Sequence, residues 1–290
     1  MNIEGLILIG ESINDSIPST HELFEKNDMN GIIELAKFQD EKGADYIDVN
    51  VGRRPPGLMA DIVKKIQQVT SKPLSLDTPD VEIAAAGLEV YNPELAGNKK
   101  LILNSITLSR LELFDLYRKH PFIPILLVTE SMDEQGKAKI NRTAEETYST
   151  AKKMVEISCN HIEHFTNDQC ILDPGITPIG SDSEGYFKRL IESIKMIHDD
   201  SDLTGVNISV GLSNFTVMLP LKRADGSPLK SPLESAFLTM AMPMGLNMII
   251  GSVKRKYEIL PNDHPAMQCL KEILQLEGID VIKRVMTYYS

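Results

Sequence analysis

The sequence predicts an α/β protein folded as a single (β/α)8 TIM barrel. Three observations carry this. Short β-rich runs alternate with longer helical stretches in eight βα units, the pattern of parallel strands joined by crossover helices. The chain has 290 residues, room for one barrel of about 250 residues plus closing helices. A doubly wound open sheet would carry a glycine-rich phosphate turn after its first strand. Here Ile9-Gly10-Glu11-Ser12-Ile13-Asn14 places an acid there instead. No Gly/Ser/Pro linker or internal repeat divides the chain, so residues 1–290 are expected to form one domain.

The elements run in chain order from the N-terminus. Leu6–Ile9 is the first strand, and apolar positions from Ile32 to Phe38 mark a helix over about 30–42. Gly43 stands where that helix should stop. Tyr46–Val49 and Pro73–Leu76 are strands, each followed by a helix, Leu58–Val69 and Val81–Val90. Leu101–Leu103 is the fourth strand, with a helix expected over about Ser109–Lys119. Ile123–Val128 is the fifth. Thr143, with Glu146 three residues on, is a capping box opening a helix to about Cys159. Cys170–Leu172 is the sixth strand, and Leu190, Ile191, Ile194 and Ile197 give the helix Ser183–His198 its apolar stripe. Asn207–Val210 is the seventh strand, Pro232–Met242 a helix, Met248–Ile250 the eighth strand. The remainder, to Tyr289, closes the barrel with helices.

Composition narrows the function. The charge of −11 argues against nucleic acid and against an anionic membrane surface, both of which require a basic footprint. Three cysteines, Cys159, Cys170 and Cys269, form no disulfide framework and suit a reducing cytosol. The opening MNIEGLILIGESIN lacks the basic start and cleavage site of a signal peptide. The apolar region Ala236–Ile250 is too interrupted to span a bilayer. A soluble cytoplasmic protein is expected.

The strand ends are the informative feature. Glu11 and Asn14, Asp48 and Asn50, Asp77, Asn104, Asp173 and Asn214 all stand there. In a barrel these positions converge on the C-terminal mouth, where active sites lie. Asp and Asn also favour turns and helix caps, and Asp80 and Asp182 are expected to be caps alone. Six polar strand ends exceed what capping explains. Lys and Arg are missing from DVNVG, LDTPD, NSIT, LDPGI and GLSNFT, and Arg53 and Arg54 are expected to face solvent. Asp and Asn without a phosphate cradle suit a planar heterocycle with alternating donors and acceptors, such as a pterin or guanine edge. The spacing of Cys159, His161, His164 and Cys170 matches no structural zinc pattern, so no metal site is expected. Met240, Met242, Met244 and Met248 read as adaptable core.

In this order, GESIN, GADYIDVNVG, LSLDTPD, LILNSI, ILDPGI and GLSN resemble the motifs of the pterin-binding methyltransferases. The chain is most similar to methyltetrahydrofolate:corrinoid/iron–sulfur protein methyltransferases, from about Leu8 to Gly251. The resemblance implies a homodimeric barrel that moves a methyl group between N5 of tetrahydrofolate and the cobalt of a corrinoid protein. It implies that Asp77, Asn104 and Asp173 hold the pterin and that Asn214 sits near N5. Asp48, Asn50, Glu11 and Asn14 would line the same pocket, with Asn214 and Asp173 as the catalytic pair. The chain has no Asp-x-His-x-x-Gly signature, so cobalamin would come from a partner protein, with methyltetrahydrofolate or tetrahydrofolate as substrate. Dihydropteroate synthase is the rival within the fold, but it resembles a Ser-Arg-Lys pattern where this chain has Ser213-Asn214-Phe215. A non-catalytic pterin-binding subunit is the rival of another class. The segment Thr129–Ile140 matches no motif of the family.

Overall fold

A computed structural model describes residues 3–290. Met1 and Asn2, the start of the segment judged against signal peptides, lie outside the described residues. The strands are β1 Ile7–Asn14, β2 Tyr46–Asn50, β3 Leu74–Asp77, β4 Ile102–Ile106, β5 Ile123–Leu127, β6 Glu130–Met132, β7 Ala138–Ile140, β8 Ile171–Asp173, β9 Asn207–Gly211 and β10 Met248–Gly251. Eight of them close into a barrel in the order β1-β10-β9-β8-β5-β4-β3-β2. Each barrel pair is parallel. β6 and β7 form a separate antiparallel hairpin in the loop after β5.

The helices are α1 Pro18–Glu25, α2 Met29–Glu41, α3 Pro56–Ile66, α4 Val81–Val90, α5 Ala144–His161, α6 Tyr186–Asp199, α7 Leu212–Phe215, α8 Lys230–Ala241, α9 Pro265–Ile273 and α10 Ile279–Tyr289. Local chemistry sets their ends. The capping box of Thr143 and Glu146 opens α5. Asp80 accepts the N–H groups of Glu82 and Ile83 at the start of α4. Asp182 accepts those of Tyr186 and Phe187 at the start of α6. Gly43 follows α2 at φ +85, left-handed backbone that glycine takes without strain. The chain ends against the loop before α8, where Ala224 donates to the Tyr289 carbonyl and Arg223 to that of Tyr288.

The structure corrects the sequence reading at three places. Ser109–Lys119 is not an α-helix. It carries a 3₁₀ segment, Leu111–Leu116, which seats Leu113 and Phe114 in the core. Thr107 and Ser109 bond each other by their hydroxyls before it, and the turn closes with i+3 bonds such as Tyr117 N–H to Phe114 O. Pro121 and β5 come too soon for more turns. The loop after β1 carries α1, whose proline start has no apolar stripe long enough to read. Arg54 does not face solvent freely. Its guanidinium lies 2.5 Å from Asp15, 2.7 Å from Glu25 and 4.7 Å from the Phe24 ring centroid.

Candidate active site

Strand alternation builds the site in layers. Side chains two residues apart on a strand share a face. Ile9, Tyr46, Ile102, Ile125, Ile171, Met248 and Ile250 fill the barrel interior as one apolar cluster. Two residues further along their strands stand Glu11, Asp48, Asn104, Leu127 and Asp173, so the interior turns from apolar to polar toward the mouth. Cross-strand register sets Asp48 opposite Ser75, Asp77 opposite Asn104 and Asn14 opposite Asn50.

Asn50 Nδ2 donates to Asp77 Oδ2 at 2.8 Å, and its Oδ1 takes the Gly52 N–H at 2.8 Å. Both ends of this amide are fixed, so it orients the Asp77 carboxylate. Asp173 accepts from the Gly175 N–H at 2.7 Å and from the Ser209 hydroxyl at 3.4 Å. Gly175 is left-handed at φ +71, and a Cβ there would lie 2.2 Å from Thr129 Cγ2. Arg189 braces the same loop, donating to the carbonyls of Asn141, Pro174 and Gly175. Glu11 accepts from the Ser213 hydroxyl. Asn14 is the least available of the set, because its Oδ1 takes the N–H and hydroxyl of Ser16 in a turn. Among the described residues, the side-chain amides of Asn104 and Asn214 have no hydrogen-bond partner. Asn214 is exposed on the single turn α7. A Cβ on Gly211 would lie 2.9 Å from Asn214 Nδ2, so the glycine leaves room for that amide against the end of β9.

Burial makes the carboxyls weak acids. Asp173 is pushed up to about 7 by burial, against its bonds to Gly175 and Ser209 and the Arg189 charge. Asp48 is raised well above the usual range by burial and then by repulsion from Asp77. Asp77 and Glu11 are raised too, again mainly by burial. Neither Asp48 oxygen, nor the Ser75 hydroxyl beside it, has a hydrogen-bond partner. Orphaned buried acceptors cost stability. A ligand rich in N–H groups is the partner that such a mouth fits. A cleft of about 490 Å³ opens beside Asn50 and Asp77, with Arg53 and Pro79 on its walls. A second one, of about 480 Å³, lies away from the strand ends, between the starts of α5 and α6 and the turn from α9 to α10.

Asp173 also makes stability depend on pH. Its carboxyl in the folded chain lies near 7, well above the roughly 3.9 of an unfolded aspartate. The stability it contributes is fully present below about pH 4 and is lost as pH rises through 7. Three units correspond to roughly 4 kcal/mol at most. Asp173→Asn should therefore raise the melting temperature of the ligand-free protein at pH 8 more than at pH 5. Equal shifts at both would show that Asp173 does not titrate as a buried acid.

Besides Arg189, Arg110 and Arg255 reach this region, and motif inspection alone does not find them. Arg110 stands close enough to Asp77 to hold its carboxyl down in part. Arg255, after β10, has its Nε 3.1 Å from Oε2 of the fully buried Glu234. Ser75 was legible by alternation, two residues before Asp77. Arg255 and Glu234 were not, because the packing of α8 against the loop after β10 brings them together. The cysteines and histidines weighed as zinc ligands stand in different environments. Cys170 is buried while Cys159 is exposed, His161 stacks on Phe114 at 4.8 Å, and the His164 side chain is 92% exposed.

The structure is a closed parallel barrel with Asp and Asn side chains gathered at its mouth. The chain belongs to the pterin-binding enzymes, whose family model matches residues 13–251. It is 30% identical over 260 residues to methylcorrinoid:tetrahydrofolate methyltransferase of Eubacterium limosum, across 84% of each chain. It is 25% identical to methionine synthase of Mycobacterium leprae, where it spans 23% of that longer protein. Among solved structures it resembles dihydropteroate synthase of Vibrio fischeri, with a TM-score of 0.57 at 14% identity over 97% of this chain and 92% of that one. The dihydropteroate synthase of Xanthomonas albilineans gives 0.56 at 14% over 94% and 93%. These two likenesses speak for the fold alone.

Proposed function

We propose that this protein transfers a methyl group between N5 of a reduced folate and the cobalt of a separate corrinoid protein. The observation that carries the reading is the neutral, unpartnered amide of Asn214 on the turn after β9, beside a mouth of buried carboxyls. The likeness to the Eubacterium methyltransferase supports it. Asp77, held by Asn50, and Asn104 take the ring's polar edge together with Asp173. Asp48, Glu11 and Asn14 complete the wall. The donor pattern fits a pterin, since paired carboxylate oxygens accept two neighbouring N–H groups.

The N–CH3 bond of a tertiary amine is hard to break because the leaving nitrogen is a poor leaving group. Protonation or strong hydrogen bonding at N5 eases it. Asn214 can donate from Nδ2 or, by rotating, accept through Oδ1, and so match the charge at N5 as the bond changes. Asp173, poised near 7, can give or take a proton at neutral pH. The partner's corrinoid supplies the cobalt that exchanges the methyl group with N5. No helix of the described residues is long and apolar enough to cross a membrane. The reading places the enzyme in the cytoplasm as a homodimer.

Purified protein mixed with methyltetrahydrofolate and Co(I) cobalamin should produce methylcobalamin, monitored by its absorbance. Folate binding without transfer would leave a non-catalytic pterin-binding subunit. Condensation of a pterin pyrophosphate with 4-aminobenzoate would point to dihydropteroate synthesis instead.

A further inference from the structure

The turn that carries Asn214 cannot hold itself. α7 has four residues and no side-chain cap at Gly211, and a helix that short has no stability of its own. Its neighbours are therefore anchored from outside. The Ser213 hydroxyl donates to Glu11 of β1. Phe215 is fully buried, with its ring centroid 5.5 Å from Phe187 and 5.4 Å from Phe237. The Thr216 hydroxyl donates to Glu234 of α8. Residues 213, 215 and 216 are thus fixed, and 214 alone is left facing outward.

Glu234 is the unusual anchor. It is fully buried on a helix whose other buried side chains, Ser235 apart, are apolar, among them Leu233, Phe237 and Leu238. A buried carboxylate costs stability unless it is paired. One of its oxygens takes the Thr216 hydroxyl, and the other lies 3.1 Å from Arg255 Nε. The groups whose charge reaches it are Arg255, Glu11 and Lys230, and its own charge reaches Tyr257. A leucine would pack this position at less cost. What the carboxylate adds is a hydrogen bond to the residue two past Asn214 and, on its other oxygen, an ion pair without hydrogen-bond geometry to the loop after β10.

We propose that Glu234 is a positioning residue, which fixes the Asn214 turn by binding the Thr216 hydroxyl on one side and Arg255 on the other. It touches no substrate and acts through the aim of the Asn214 amide. The inference rests on the reading that Asn214 acts at N5. Displacing a reacting group by about an ångström can cost on the order of 100-fold.

Two variants test it. Thr216→Val removes the hydroxyl without orphaning a charge, and Glu234→Gln keeps an acceptor while releasing Arg255. In methyl transfer from methyltetrahydrofolate to Co(I) cobalamin, Thr216→Val should lower kcat about tenfold with KM for the folate within about twofold. Glu234→Gln should lie between it and the parent. In an Asn214→Ala background, Thr216→Val should cost less than about twofold, because coupled residues do not add. An equal loss in both backgrounds, or a rise in KM in place of the fall in kcat, would overturn the proposal. Amide hydrogen exchange over residues 212–217 separates this from the functional reading. Faster exchange in Thr216→Val supports the clamp even if the parent protein transfers no methyl group. Unchanged exchange overturns it.

Discussion

Asp77→Ala is expected to weaken folate binding by about 2–4 kcal/mol, the loss for a charge-assisted contact whose ligand donors are left unpaired. Titration calorimetry would read this as roughly a 30- to 1,000-fold rise in Kd. The ligand-free protein should not lose stability in proportion. Asp77 raises the pKa of Asp48 by repulsion, and burial disfavours its own charge. Removing it frees one Asn50 N–H but relieves the crowding of two buried acids. Affinity and stability should thus move apart, as they do where a site holds groups that repel until the ligand arrives. Near-parental affinity in a folded Asp77→Ala protein would remove Asp77 from the site.

How far the site was readable depends on where its residues sit. Asp48, Asp77, Asn104 and Asp173 end strands whose apolar runs are unmistakable, and in a parallel barrel such ends converge. The alternation of each strand then dictates which residues face inward. The alternation of strand and helix likewise implied the closed barrel. Legibility fails where the outcome depends on tertiary contacts. The stretch Ser109–Lys119 has helical composition, but its hydroxyls and the early return to β5 turn it into 3₁₀. The hairpin of β6 and β7 has strands of three residues, too short for periodicity to show. Arg54 looked like a loop cation because Asp15 and Glu25, its partners, lie in a helix-bearing loop that the pattern did not reveal. Asn14 and Asn50 show the limit from the other side. They are the same residue type in neighbouring register, yet one caps a turn and the other orients Asp77. Nothing in the helix Pro232–Met242 as read from sequence singles out Glu234. Its burial is decided by Thr216 and Arg255, which stand 18 residues before it and 21 after it.

Asn214→Ala is expected to lower kcat/KM for methyl transfer by about 10²–10³-fold, the usual loss for one transition-state hydrogen-bond group. The structure sharpens the reason. The Asn214 amide has no hydrogen-bond partner among the described residues, so no contact within the protein has to be broken before it bonds N5. Ser213, Phe215 and Thr216 hold the turn independently of it, so the alanine protein should keep its melting temperature and its fold. The fall should appear in kcat with KM nearly unchanged if the amide bonds N5 as the C–N bond changes and not before. If it also bonds N5 in the ground state, folate affinity falls with kcat. Asn214→Asp adds a second discrimination. It keeps the shape but loses the N–H donor, and its charge would stand beside carboxyls that burial already presses toward neutrality. It should be no more active than alanine at pH 8 and should recover part of the rate at lower pH, where protonation restores a donor. Unchanged kcat and unchanged folate affinity in Asn214→Ala would show that this asparagine merely completes a turn, and the role assigned to the end of β9 would be wrong.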